Sequence, residues 1–148
     1  MEDTGPTRTA VARWADTGVD ETLAGTIDHA GGAVSLISCS LAAGHHNTLQ
    51  VVGTDGIVDM PLAFTPPVDE PATLLVTRGK RNGVTEELSF PPTDQYTAEA
   101  EGFAALVAAG HDADLPQVPL VESLDNAATI DALLTSARTR TQIPIHPS

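Results

Sequence analysis

The chain has 148 residues, enough for one domain with a real core, and 41% of them are hydrophobic but only 3% aromatic. Its net charge of −13 comes from 20 acidic and 7 basic residues, and Lys80 is the one lysine, so the clustered Lys and Arg of a nucleic-acid surface are missing. No run approaches the roughly 18 apolar residues of a membrane span, and no basic start followed by an apolar run marks a secretory signal, so a cytoplasmic protein with neither nucleic-acid nor membrane partners is expected.

The acids are scattered and read as a solvated skin, of a kind that would suit a salt-adapted or high-GC host. With so few aromatics, the core must come from Ala, Val, Leu and Ile. Cys39 has no partner for an intrachain disulfide and falls in a strand-like run, so a buried, reduced thiol is expected.

In chain order, residues 1–7 hold Gly5 and Pro6 and read as a loose leader. Residues 9–14 (TAVARW) read as a first strand, followed by a turn at Asp16-Thr17-Gly18. The stretch 20–41, DETLAGTIDHAGGAVSLISCSL, organises the rest of the chain: two runs, about 21–29 and 33–41, flank Ala30-Gly31-Gly32 as an antiparallel hairpin. A bend at Gly44-His45-His46-Asn47 leads to a strand over 48–52. Gly53-Thr54-Asp55-Gly56 is a tight turn whose two glycines are both able to take φ > 0, and 57–60 returns as a strand ended by Pro61. The loop 62–71 carries Pro66, Pro67 and Pro71. Strands over 73–77 and 84–90 flank a basic turn at 78–83, and Pro91-Pro92 stops the second of them.

The period then becomes helical. Tyr96, Ala100, Phe103, Ala104 and Val107 fall on one helix face over about 94–109, with Thr93 or Asp94 as N-cap and Gly110 at the C-terminal end, and the stripe is expected to be core. A loop with Pro116 and Pro119 precedes a second helix over about 122–138. Its expected apolar stripe is Leu120, Leu124, Ala127, Ala128 and Leu134, with Ile130 and Leu133 alongside. Arg138 and Arg140 suit the negative end of that helix dipole, and the tail 141–148 is expected to be extended. Strands followed by helices imply α+β: an open, mostly antiparallel sheet of about seven strands with two helices on one face, as a single domain over 8–140.

Little of this carries chemistry. There is no G-x-G-x-x-G or G-x-x-x-x-G-K-[ST], and Gly53–Gly56 lies between strands rather than before a helix. Adjacent His45 and His46 lack the i, i+4 spacing of helical metal ligands, and no Cys or carboxylate cluster completes a set. Ser38, Cys39 and Ser40 lie near His29 in sequence but in no nucleophile-elbow pattern, so they read as sheet residues. The pairs Glu86-Glu87 and Asp112 with Asp114 read as solvated, and Lys80 sits in a turn where an amine stays hydrated. No catalytic, cofactor-binding or metal-binding residue is assigned.

Three stretches nevertheless resemble the C-terminal domain of the Gfo/Idh/MocA family of NAD(P)-dependent oxidoreductases. They are the hairpin followed by TLQVVGTDGIVDMP; QYTAEAEGF with Tyr96, Glu99 and Phe103; and VPLVESLDNAATIDALLTSAR over 118–138, with Glu122, Ser123, Asn126, Asp131, Ser136 and Ala137. The flavour is similar to the sugar and dihydrodiol dehydrogenase-like members, with a dihydrodipicolinate-reductase-like fold. The resemblance implies that NAD or NADP is held by an N-terminal Rossmann domain with an E-K-P lysine, and that a D-x-x-x-H pair precedes the sheet. None of these motifs occurs here, so the chain is expected to be a fragment or truncated form, inactive alone and binding no cofactor by itself. The family's open sheet implies one wall of a substrate site, with a sugar or polyol as possible ligand. It also implies a face for homo-oligomer contact or for a separate Rossmann subunit, with Val34, Leu36, Ser38 and Ser40 as its exposed stripe. A free-standing pairing partner and a small sugar-binding module are the alternatives.

Overall fold

A computed structural model of the chain describes residues 6–80, 83–110 and 118–145. The leader residues 1–5, the turn residues Arg81 and Asn82, the pair Asp112 and Asp114 with Pro116, and Pro147 lie outside the described residues. The strands are β1 (Thr7–Trp14), β2 (Asp20–Asp28), β3 (Val34–Ser40), β4 (Leu49–Val52), β5 (Gly56–Met60), β6 (Ala72–Arg78), β7 (Val84–Phe90) and β8 (Ile143–Pro144). The helices are α1 (Gln95–Ala109) and α2 (Leu120–Thr139). The class is α+β, but the strands form two antiparallel four-stranded sheets, β3-β2-β1-β8 and β4-β5-β6-β7, instead of one sheet of about seven. Period-2 patterning marks a strand without naming its neighbour, and the polar bend 44–48 separates β3 from β4. Correspondingly, the chain divides into two compact units, Met1–Gly44 with Gln117–Ser148, and His45–Pro116.

In the first unit the β2–β3 hairpin forms as expected, with Gly31 and Gly32 at φ 91° and 86°. Cross-strand partners place Ala10, Gly25 and Ile37 on one face beside Ala12, Leu23 and Ile27, and α2 packs on it against β1 and β8. The core is Ala10, Leu23, Ile27 and Leu133. Leu133 lies so close over Gly25 that a Cβ there would meet Leu133 Cδ2 at 2.9 Å, so the glycine lets helix and sheet approach. The buried face of α2 is Ala132, Leu133 and Ser136, whereas Leu120, Leu124 and Ile130 of the expected stripe are exposed. The apolar positions of α2 outnumber those its neighbours cover, and only its C-terminal half is buried. Cys39 is exposed, not buried. It lies on the helix-covered face opposite Leu23, but on the edge strand β3, where α2 does not reach.

The ends of this unit are stitched together. Thr7, placed in the leader by sequence, opens β1 and is buried, and the tail contributes β8, which pairs with Thr7 and Arg8. Ser136 is 1% exposed: its Oγ accepts from the Ala10 N–H at 3.0 Å and donates to the Thr141 carbonyl at 2.6 Å. Arg140 ends α2 in the left-handed conformation, φ 56°.

In the second unit, register puts Val51, Val58 and Val76 in one cross-strand row, with Leu49 beside Met60 and Leu74 beside Leu88 on the same face. Among its described residues none is buried. The helix α1 begins at an Asp94 cap and ends at Gly110 with φ 72°, as the sequence signals. The Thr97 hydroxyl (2.9 Å) and the Tyr96 N–H (3.0 Å) hold the Asp94 carboxyl below its ordinary range. Its stripe is not core, since Tyr96 and Phe103 are 70% and 68% exposed and no residue of α1 is buried. Neither glycine of the 53–56 turn takes a positive φ. Gly53 donates to the Gly56 carbonyl at 2.9 Å, and Gly56 is already the first residue of β5.

Candidate functional site

Among the described residues, those that sequence offers for chemistry do not converge. His29 bonds Ser35 at 2.8 Å, so its partner is none of Ser38, Cys39 or Ser40. Ser40 Oγ instead bonds Thr22 at 2.7 Å and accepts from the Ala42 and Ala43 amides, which turns the chain out of β3. His46 lies 3.4 Å from the Thr48 hydroxyl. Among the described residues no group of three or more His, Cys, Asp or Glu could hold a metal. Lys80, Glu86 and Glu87 are exposed.

Two of the concavities among the described residues bear on the site. One, of about 460 Å³, lies in the second unit between the proline-rich loop and the sheet, walled by Met60, Leu62, Pro66, Leu74 and Phe90 with Glu70 as its one carboxylate. Asn47 shapes the loop: its Oδ1 accepts from the Phe64 N–H at 2.8 Å, its Nδ2 donates to Thr65 Oγ1, and its carbonyl accepts from the Ala63 N–H at 3.2 Å. These walls offer shape and apolar contact but no acid–base pair. The only sequence signal for this cavity is the prolines, which limit the loop's conformations.

The other concavity, of about 770 Å³, lies in the first unit along β1 and the last turn of α2. Trp14 and Arg138 stack there, the guanidinium carbon 4.6 Å from the ring centre, and Arg140 joins them. A cation over an indole face is favourable by about 0.5–1 kcal/mol at such an exposed place.

A nicotinamide dinucleotide needs backbone N–H groups gathered at a helix N-terminus behind a glycine turn. The glycine turn Gly53–Gly56 leads into the strand β5 and not into a helix.

No family model matches the chain. It is 34% identical over 124 residues to D-xylose 1-dehydrogenase (NADP(+)) 2 of Haloferax volcanii, covering 84% of this chain and 36% of that protein. It is 31% identical over 103 residues to dTDP-3,4-didehydro-2,6-dideoxy-alpha-D-glucose 3-reductase of Saccharopolyspora spinosa, covering 70% of this chain and 30% of that one. The chain thus spans about a third of the length of these curated relatives. In fold it is similar to a 3-ketoreductase of Actinomadura kijaniata solved with NADP (TM-score 0.74, 22% identity, 90% of this chain and 41% of that chain). It is also similar to an NAD-binding oxidoreductase of Klebsiella pneumoniae (TM-score 0.74, 17% identity, 97% and 46%). The described strands and helices share the α+β fold of these solved structures. The match to a part of each of these relatives is consistent with a Gfo/Idh/MocA-like C-terminal region.

Proposed function

We propose that the chain supplies the substrate-side and assembly sheet of a Gfo/Idh/MocA-type oxidoreductase acting on a sugar or polyol, with NAD or NADP held by a separate cofactor-binding domain. The observation that carries this reading is the 34% identity to a D-xylose dehydrogenase across 84% of the chain. Reduced-nicotinamide absorbance tests it directly. The purified chain should not oxidise D-xylose with either cofactor. A chimera in which it replaces the matched third of the Haloferax enzyme should. Turnover by the chain alone would overturn the reading, as would a chimera that folds and binds NADP but turns over no sugar.

A second reading, that the chain is made separately and works by pairing with a cofactor-bearing subunit, is favoured by its uncovered apolar positions. Val34 and Leu36 on the first sheet and Val51 on the second are exposed. Co-expression with such a subunit, with activity only in the mixture, is its test.

A further inference from the structure

The open side of β1 carries an inference that does not depend on the proposed function. In the first sheet β1 has β2 along one side, but β8 covers only Thr7 and Arg8 on the other. Among the described residues, 9–14 therefore have no neighbouring strand on that side. The Ala10 N–H points there and is taken by Ser136 Oγ. Main-chain groups alternate sides along a strand, so Ala12 presents its N–H and C=O in the same direction, where no strand meets them. The cleft of about 770 Å³ runs along this edge, and it is lined by β1 backbone, Trp14, Arg138 and Arg140 without a single carboxylate. Two of the chain's 7 basic residues thus stand at one strand edge of a molecule with net charge −13. The other edge strand of this sheet, β3, carries no such pair.

We propose that this edge is a docking groove for an extended, acidic polypeptide segment that adds a strand beside β1. Its main chain would exchange hydrogen bonds with Ala12. Every second side chain would face the groove, so glutamates at that spacing would meet Arg138 and Arg140 with their carboxylates and lay their methylene stems against Trp14. The backbone supplies affinity and the two guanidiniums select for acidic sequence.

The test is amide NMR and hydrogen exchange on the full chain, titrated with a capped peptide of alternating valine and glutamate. The expected result is protection of the Ala12 amide and a shift of the Trp14 indole N–H. Affinity should fall on the order of tenfold in Arg138→Gln, as for loss of one charge-assisted contact. Ala12→Pro should abolish binding, since its N–H faces the open side and takes no part in the β1–β2 ladder. Should that variant fail to fold, an N-methylated version of the same peptide asks the same question of the unaltered protein and should not bind. The proposal is overturned if the valine–glutamate peptide leaves Ala12 and Trp14 unchanged. It is equally overturned if the N-methylated peptide or a valine–lysine peptide binds as well, or if sodium sulfate alone reproduces both signals.

Discussion

Gly56 sits where the β5 backbone passes the β6 carbonyls too closely for any side chain: a Cβ would lie 2.2 Å from the Thr77 oxygen. Gly56→Ala must therefore push two strands apart, and should cost about 1–3 kcal/mol in urea unfolding, the usual range for overpacking. Gly44→Ala is the control, because nothing lies within 4 Å of its would-be Cβ. It should be neutral or slightly stabilising through the unfolded chain. Sequence identifies Gly56 as a turn glycine; the reason it must be glycine is the neighbouring strand, which no local pattern names. Ser136 shows the same limit. Its hydroxyl bridges Ala10 and Thr141 across 126 residues of separation from the first of them. Ser136→Ala leaves the buried Ala10 N–H unpaired and should cost about 1–3 kcal/mol by thermal or urea melts. Asp94 was legible, because a cap is a local device. Its carboxyl is held below the unfolded value, so its contribution is present above that value and is lost as pH falls through the folded one. Helical circular dichroism should fall over that acidic window in the native chain, and Asp94→Asn should flatten the fall.

Elements were legible more faithfully than their surroundings. The hairpin, β7 and both helices form where periodicity and caps put them, since 2.0 and 3.6 residue repeats are written in the chain itself. Which helix face is buried depends on what lies opposite. In α1 the apolar stripe Tyr96, Phe103 and Val107 is intact but uncovered, whereas in α2 the exposed Leu124 and buried Leu133 are indistinguishable by hydropathy. Two substitutions separate these cases. Phe103→Ser should change unfolding free energy by no more than about 0.5 kcal/mol, as an exposed site does. Leu133→Ala, at 3% exposure, should cost about 2–5 kcal/mol. A large loss in the first variant would show that the α1 stripe is covered in solution. The candidate sites were the least legible part. The groove at Trp14 and Arg138 joins residues 124 positions apart, and each is unremarkable alone, one an aromatic in a strand and the other a base at a helix end.

At the scale of the whole molecule, the two units are unequal. The buried core residues all belong to the unit Met1–Gly44 with Gln117–Ser148. The unit His45–Pro116 has paired strands but no buried described residue. Local stability follows buried apolar contact, so amide exchange should be slow in β1 and β2 and markedly faster in β4–β7. Uniform protection in the isolated chain would contradict this, and protection of β4–β7 only in the presence of a partner would locate its missing cover.

The first unit is assembled from both ends of the chain, with the second inserted between them. During synthesis this fixes an order of events. At roughly 5–20 residues per second, β1, β2 and β3 emerge first and can pair as a local meander, but the helix that packs on this sheet is made only after β4 to β7. Until Leu133 arrives, Leu23 and Ile27 face water on an open sheet, while all of β4 to β7 is already outside the ribosome. A chain stalled before α2 is therefore a sheet with a bare apolar face and unpaired edges, the form in which a nascent chain most needs a chaperone.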